Sequence, residues 1–297
     1  MNPQWKSDSG PSRPALAGIP SWHTLLVLGR VSNLPTVWSN VLAGWWIAGG
    51  GYGPGLLPLL LGATFLYLGG MSLNDACDRE FDARYRRERP LPSGAITLPV
   101  LLFLSWGWLL CGTLLLLWLP VPFLLVLGLT ASIILYDFLH KKTAFSPLLM
   151  AACRCLLCLV AGAGAVGEIG WINGLHGFAV AAYVIGLSFL ARRESTPGPV
   201  GLWPYPLLVL PPFLFIIARE DFHLFWTLAA VSLFLFWMIH TLRPRKKRDM
   251  GTMVSRLLAG IVLVDLAALG GTDLFLSLTL LLFFFSALAM QRYIPAT

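Results

Sequence analysis

Ten apolar stretches follow one another along this 297-residue chain, each near the roughly 20 residues that cross a bilayer as a helix. They run at about Leu34–Gly50, Pro54–Leu73, Leu98–Leu119, Val121–Leu139, Ser146–Val166, Asn173–Ala191, Val200–Ile217, Phe222–Leu242, Thr252–Leu269 and Asp273–Met290. Only 12% of the residues are charged, about half the share of a soluble chain. The apolar solvent for these side chains is therefore lipid. In lipid every backbone amide needs an internal partner, which leaves helices or a closed barrel. Barrel strands alternate apolar and polar residues over roughly 10 positions, and these runs are continuous. The expectation is an all-α, polytopic membrane helix bundle of nine to ten transmembrane helices. Residues 1–22 read as a disordered tail and 23–297 as a single transmembrane domain. Residues 1–20 are Pro/Ser/Gly-rich and carry no signal-peptide pattern. Gly270 and Gly271 leave only a short turn before the last stretch, so it is the weakest of the ten.

Charge placement predicts orientation. The segments after even-numbered stretches are basic: Arg79 to Arg89, Lys141 and Lys142, Arg192 and Arg193, and Arg243 to Arg248. Glu168, Glu220, Asp221 and Asp273 lie on the other side, with Arg219 the one basic residue beside them. By the positive-inside rule both termini and the basic segments face the cytoplasm of a cell (inner) membrane protein. Short basic loops at a membrane surface attract anionic lipid headgroups and give no support to nucleic-acid binding. Nothing in the sequence reports an oligomeric state.

Topology alone does not explain the segment Asn74–Gly94, N-D-A-C-D-R-E-F-D-A-R-Y-R-R-E-R-P-L-P-S-G. Asp75, Asp78 and Asp82 are spaced i, i+3, i+7, which places them within roughly 60° of one another on one helix face. Like charges so stacked repel and are expensive to desolvate at a membrane boundary. A hard divalent cation removes the conflict. Mg2+ takes oxygen ligands and typically binds one or two carboxylates together with substrate phosphates. The arginines that follow suit phosphate oxygens, which a guanidinium clamps at two points. Arg89-Pro90-Leu91-Pro92-Ser93-Gly94 stops the helix and forms a loop.

N-D-x-x-D-x-x-x-D followed by R-x-E-R-P-L-P-S-G resembles the first aspartate-rich motif of the UbiA superfamily of intramembrane prenyltransferases. Arg30–Gly44, R-V-S-N-L-P-T-V-W-S-N-V-L-A-G, resembles that family's first helix. The R-P-L-P-S-G wording is similar to EboC-like members. The resemblance implies helices around a central cavity open to the membrane. It also implies a polyprenyl diphosphate donor and a membrane-associated lipid or aromatic acceptor. On that implication Asn74, Asp75, Asp78 and Asp82 hold Mg2+, directly or through water, and Arg86, Arg89, Lys141 and Arg192 are candidate diphosphate contacts. One departure is large. Where the family usually carries a second aspartate-rich motif, this chain reads S-F-L-A-R-R-E-S over 188–195, with Glu194 as its one acid. The alternative is a non-catalytic isoprenoid- or lipid-binding protein with a degenerate transferase fold.

Other polar residues within the apolar runs have two readings each. Asn33 and Asn40 share a helix face and either bond a neighbouring helix or line the cavity. Tyr136 is either an aromatic-belt residue or, as the family resemblance allows, a diphosphate contact. Arg154, inside the fifth stretch, needs an inward partner, either a structural acid or a substrate. Asp265 reads as structural and His176 as interfacial. Cys153, Cys155 and Cys158 read as small packing residues, and Cys77 as a reduced thiol on the cytoplasmic side. A transporter would place its acids near the midplane within internal repeats, and there are none. A CDP-alcohol phosphotransferase would need Asp-Gly and Ala-Arg pairs ahead of its acids, and these are absent.

Overall fold

The structure, a computed structural model, describes residues 20–192, 202–218, 224–243 and 250–296. Most of the expected N-terminal tail, Arg193 with Glu194, and the charged residues 219–221 and 245–248 lie outside the described residues. The described residues form thirteen α-helices, a 3-10 turn and no strand. They are α1 Trp22–Leu28, α2 Leu34–Ile47, α3 Leu56–Cys77, α4 Arg79–Tyr85, α5 Leu98–Leu117, α6 Phe123–Leu139 and α7 Ser146–Val166. Then come α8 Trp171–Arg192, α9 Pro204–Val209, α10 Pro211–Ala218, α11 Leu224–Leu242, α12 Met250–Leu269 and α13 Leu274–Met290. Six of them, α3, α5, α7, α8, α11 and α12, are long and apolar enough to cross a membrane, and α6 and α13 are apolar but shorter.

The expected stretch Val200–Ile217 is not one helix. It divides at Leu210 into α9 and α10, because Pro211 and Pro212 cannot donate the amide hydrogens that would continue the helix. The last stretch does form a helix. Gly270 and Gly271 turn the chain with φ of 59° and 74°, a left-handed conformation that suits glycine. The Asp273 side chain then caps α13 by accepting from the Leu276 amide at 2.9 Å.

Two apolar cores meet at α2. One joins α8, α10, α11, α12 and α13 around Tyr183, Phe215 and Phe234. The other joins α2, α3, α5, α6 and α7 around Leu59, Leu66 and Val160. The centre of the bundle is α12, with 78% of its apolar window buried, against 28% for α5 at the periphery. Outward faces stay apolar, as Phe103, Leu110 and Leu114 on α5 and Phe275, Leu282 and Phe285 on α13 show. Such a surface is tolerable in lipid and not in water. Helix association in lipid relies on close packing, and α3 and α5 achieve it through glycine. A Cβ on Gly112 would lie 2.8 Å from Gly62 O and 2.8 Å from Leu66 N.

A polar cluster crosses this apolar interior. Asp265 of α12 is fully buried. It accepts from Ser39 Oγ at 2.6 Å and Asn40 Nδ2 at 2.8 Å, and lies 2.8 Å from His176 Nε2. Asn40 Oδ1 in turn accepts from Arg154 Nη1 at 2.8 Å, and Arg154 also donates to Thr36 O and Thr36 Oγ1. The inward partner expected for Arg154 is therefore an α2 amide that relays it to Asp265. The structural reading of Asp265 agrees with its position. His176 is not interfacial: it is fully buried, because the one buried carboxylate it can pair with lies across the bundle on α12.

Candidate functional site: a carboxylate cluster at the mouth of an apolar cleft

The acidic segment sits where α3 ends. Asn74 and Asp75 occupy its last turn, Asp78 joins α3 to α4, and Asp82 lies in α4. Asp78 has φ −85° and ψ 0°, so the helix is interrupted there. The i to i−4 bonds from the Asp78 amide to Asn74 O and from the Asp82 amide to Asp78 O persist, both at 2.9 Å. The three carboxylates thus keep nearly helical spacing across a joint and are all buried, at 4%, 8% and 2% exposure.

Cations from three segments converge on them. The R-P-L-P-S-G loop folds back, with the Ala95 amide on Pro90 O, and returns Arg89 to within 2.7 Å of Asp75 Oδ1 and 3.9 Å of Asp82 Oδ2. Arg30 precedes α2 in a left-handed conformation, φ 41°, which costs a non-glycine residue on the order of 1–2 kcal/mol. That turn places its guanidinium 3.1 Å from Asp75 Oδ1 and 3.4 Å from Asn74 Oδ1, and its carbonyl accepts from Tyr67 OH. From the end of α6, Lys141 Nζ lies 2.7 Å and His140 Nε2 3.1 Å from Asp78 Oδ1. Lys141 also sits 3.7 Å above the Phe81 ring, a cation–π contact.

Burial alone would raise the Asp78 carboxyl, but hydrogen bonds from His140 and Lys141 outweigh it and hold Asp78 below the usual carboxylate value. Asp82 goes the other way. Burial pushes its carboxyl up, Arg89 opposes this, and Asp78 and Asp75 reinforce it. A group with a raised folded-state value weakens the fold once it ionises. Stability from Asp82 is therefore present at low pH and lost as pH rises through its folded value. Asp82→Asn is expected to melt higher than wild type at neutral pH, by roughly 2–4 °C for about 1 kcal/mol. That advantage should fade as pH falls and the wild-type carboxyl takes up its proton. Melting curves in detergent across pH check this, and an advantage that persists at low pH would exclude the charge as its cause.

Above the cluster lies a cleft of about 600 Å³ between α2, α3, α6 and α7, open in part to its surroundings. Tyr67, Gly70, Tyr136, Arg154 and Leu157 are among its lining residues. A second cleft of about 1010 Å³ holds Asp78, Trp106, His140, Lys141 and Lys142. Asp137 of α6 lines both.

The candidate residues thus divide. Asn74, Asp75, Asp78, Asp82, Arg89 and Lys141 come together, with Tyr136 stacked on His140 at 5.2 Å. Arg86 is exposed at the end of α4 and makes no ion pair among the described residues. Arg192 donates to the carbonyls of Thr143 and Ala144, both at 2.7 Å, and so braces the turn between α6 and α7. Arg154 lines the cleft wall, but Asn33 and Asn40 are not among the lining residues. Their amides are taken up elsewhere, Asn40 by the Asp265 cluster and Asn33 by Ala296 O at 2.9 Å. Glu194 lies outside the described residues. Sequence reasoning missed Arg30, Asp137 and His140 as members of the site. The available signal was an acid in the last turn of an apolar run, a costly position for a group without a task.

All four carboxylates keep one oxygen free of hydrogen bonds and ion pairs among the described residues. Asp75 and Asp78 make their contacts through Oδ1, and Asp82 Oδ1 and Asp137 Oδ2 are buried without a partner. No three His, Cys, Asp or Glu side chains among the described residues are grouped so as to hold an ion by themselves. The donor set fits a hard cation that takes one or two carboxylates and completes its shell with phosphate oxygens and water.

Comparisons with known proteins agree with this architecture. No curated protein matches the chain. A digeranylgeranylglyceryl phosphate synthase structure is similar over 90% of this chain and 98% of its own, at 19% identity and TM-score 0.58. An apo UbiA homologue from Aeropyrum pernix K1 is similar over 93% of this chain and 100% of its own, at 13% identity and TM-score 0.60. A UbiA homologue from Archaeoglobus fulgidus bound to DMAPP and Mg2+ is similar over 92% of this chain and 100% of its own, at 13% identity and TM-score 0.51. Identities this low speak for the fold. The profile of the UbiA prenyltransferase family matches residues 37–253, most of the chain, and the chain belongs to that family.

Proposed function

We propose that this protein transfers a prenyl group from a polyprenyl diphosphate to a membrane-associated lipid or aromatic acceptor, with Mg2+ held by Asn74, Asp75, Asp78 and Asp82 on the cytoplasmic side of the membrane. The carrying observation is the pairing of a carboxylate–guanidinium cluster with an apolar cleft that opens beside it. A diphosphate headgroup needs positive charge and cation-binding oxygens, and its isoprenoid tail needs an apolar wall. Mg2+ when bound supplies charge neutralisation for the departing diphosphate.

The chain's own residues do the rest. Arg30, Arg89 and Lys141 are released from their carboxylates in exchange for phosphate oxygens, as preorganised cations in a partly dry site. The carbon–oxygen bond then breaks, with its electron pair leaving on the diphosphate. Tyr67 and Tyr136 offer aromatic faces to the allylic cation left behind, and the apolar cleft keeps water from it. The acceptor attacks that carbon and loses a proton.

A second reading, lipid binding without turnover, is favoured by one observation. Asp75 is already neutralised by two arginines, and the stretch 188–195 supplies a single acid in place of a second motif. The two readings differ in pyrophosphate release. Purified protein in detergent with radiolabelled prenyl diphosphates and a lipid extract is expected to release pyrophosphate in Mg2+ and to fall to background in EDTA. Metal-dependent binding without release, over a wide acceptor set, would favour the binder. Absence of metal-dependent binding would exclude both.

A further inference from the structure

We infer that Asp137, with Asn74 and Asp78, forms a second divalent-cation position on the α6 side of the diphosphate site. It takes the place of the second acidic motif that the stretch 188–195 does not supply. This rests on the transferase reading of the same site, but it concerns a residue on a different helix.

Asp137 is 2% exposed. Its Oδ1 has one partner, the Asn74 side-chain amide, at 3.4 Å. That distance is beyond the range of a good N–H···O bond. Its Oδ2 is buried and has no partner. No Lys, Arg or His nitrogen lies within 4.0 Å of its carboxylate oxygens among the described residues, the nearby His140 Nδ1 being on the Asp137 backbone carbonyl at 3.0 Å. A buried carboxylate so poorly satisfied is costly unless a cation or a proton joins it. Asp82 also has a buried oxygen without a partner, but its other oxygen lies 3.9 Å from Arg89. Asp75 is held by Arg30 and Arg89, and Asp78 by His140 and Lys141.

Location distinguishes a cation from simple protonation. Asp137 lines both clefts, and in the second it faces the same space as Asp78, whose Oδ2 is free. The Asn74 side chain touches Asp137 through Nδ2 and Arg30 through Oδ1, each at 3.4 Å. Both bonds are long, so the amide can turn its oxygen toward an ion at little loss. Two carboxylates with an amide oxygen, completed by phosphate oxygens and water, are the donor set Mg2+ prefers. Lys141 and His140 on the α6 side are already engaged by Asp78, so a diphosphate beside Asp137 meets a carboxylate that no side chain neutralises, and an ion between the two removes the repulsion.

The test counts ions and does not depend on turnover. Mn2+ is titrated into purified protein in detergent with an unreactive prenyl thiolodiphosphate, and free Mn2+ is read by electron paramagnetic resonance. Wild type is expected to bind two ions per chain, Asp137→Asn one, and Asp137→Glu two. The single ion retained by Asp137→Asn reports that this variant is folded, and its melting temperature confirms it. One ion in wild type, unchanged in Asp137→Asn, overturns the second position and leaves the transferase reading standing. Loss of both ions in a normally melting Asp137→Asn overturns it as well, because no separate position then exists. If Asp137→Asn does not fold, the wild-type count and Asp137→Glu decide: one ion in wild type, or fewer than two in a folded Asp137→Glu, overturns the proposal. No ion in wild type overturns both readings.

Discussion

Asp75→Ala combined with Asp78→Ala is expected to lower Mg2+-dependent pyrophosphate release at least about 100-fold, in keeping with the roughly 10²–10³ lost when a single preorganised electrostatic group is removed from an active site. The cations are involved as much as the carboxylates. Asp75 holds Arg30 and Arg89, and Asp78 holds His140 and Lys141. Removing both carboxylates therefore takes away two of the proposed metal ligands and also frees the basic side chains proposed to receive the diphosphate. The two losses belong to one unit, so the double variant should be little worse than the more severe single one. Pyrophosphate release from the single and double variants, beside their melting temperatures, checks this. A well-folded double variant that turns over at the wild-type rate would show that the chemistry lies elsewhere in the chain.

Asp265→Ala is expected to give the largest loss of stability. The carboxylate receives Ser39 and Asn40, faces His176, and through Asn40 fixes Arg154. Two magnitudes compete. A hydrogen bond inside a membrane protein averages only about 0.6 kcal/mol, because the unfolded chain in lipid finds other partners. Removing one partner of a buried charged pair, in contrast, costs about 3–5 kcal/mol, since the other is left uncompensated. Here the guanidinium is held at one remove, so an intermediate loss of roughly 2–4 kcal/mol follows. Asp265→Asn keeps an acceptor oxygen and should lose less. Thermal unfolding in detergent, with extraction yield as a second readout, measures both. An unchanged melting temperature for Asp265→Ala would mean that α2, α7, α8 and α12 are held by apolar packing alone.

How much of this could be read from the chain differs from element to element. Long apolar runs have one stable solution in lipid, so α3, α5, α7, α8, α11 and α12 lie where hydropathy put them. The exception is local chemistry. Pro211 and Pro212 split the seventh run, which is apolar like its neighbours but carries four prolines where the sixth and eighth runs carry none. The acidic segment announced itself in the same way. Three carboxylates spaced i, i+3, i+7 at a membrane boundary carry an electrostatic conflict visible without coordinates, and the Pro-rich stretch after Arg89 marks a loop. What could not be read was which residues complete the site. Arg30, Asp137 and His140 reach it from chain positions 45 to 65 residues away from Asp75, a pairing that depends on how α2 and α6 pack against α3. His176 and Asp265 show the same limit. Each is a single polar residue in an apolar helix, and each looks unsatisfied until the bundle brings them within 2.8 Å. Periodicity and composition decide that helices form and which solvent they meet, because those are properties of a residue and its near neighbours along the chain. Partnership between polar groups was decided only by the tertiary structure, because a hydrogen bond or ion pair depends on distance in space, which the order of residues does not specify.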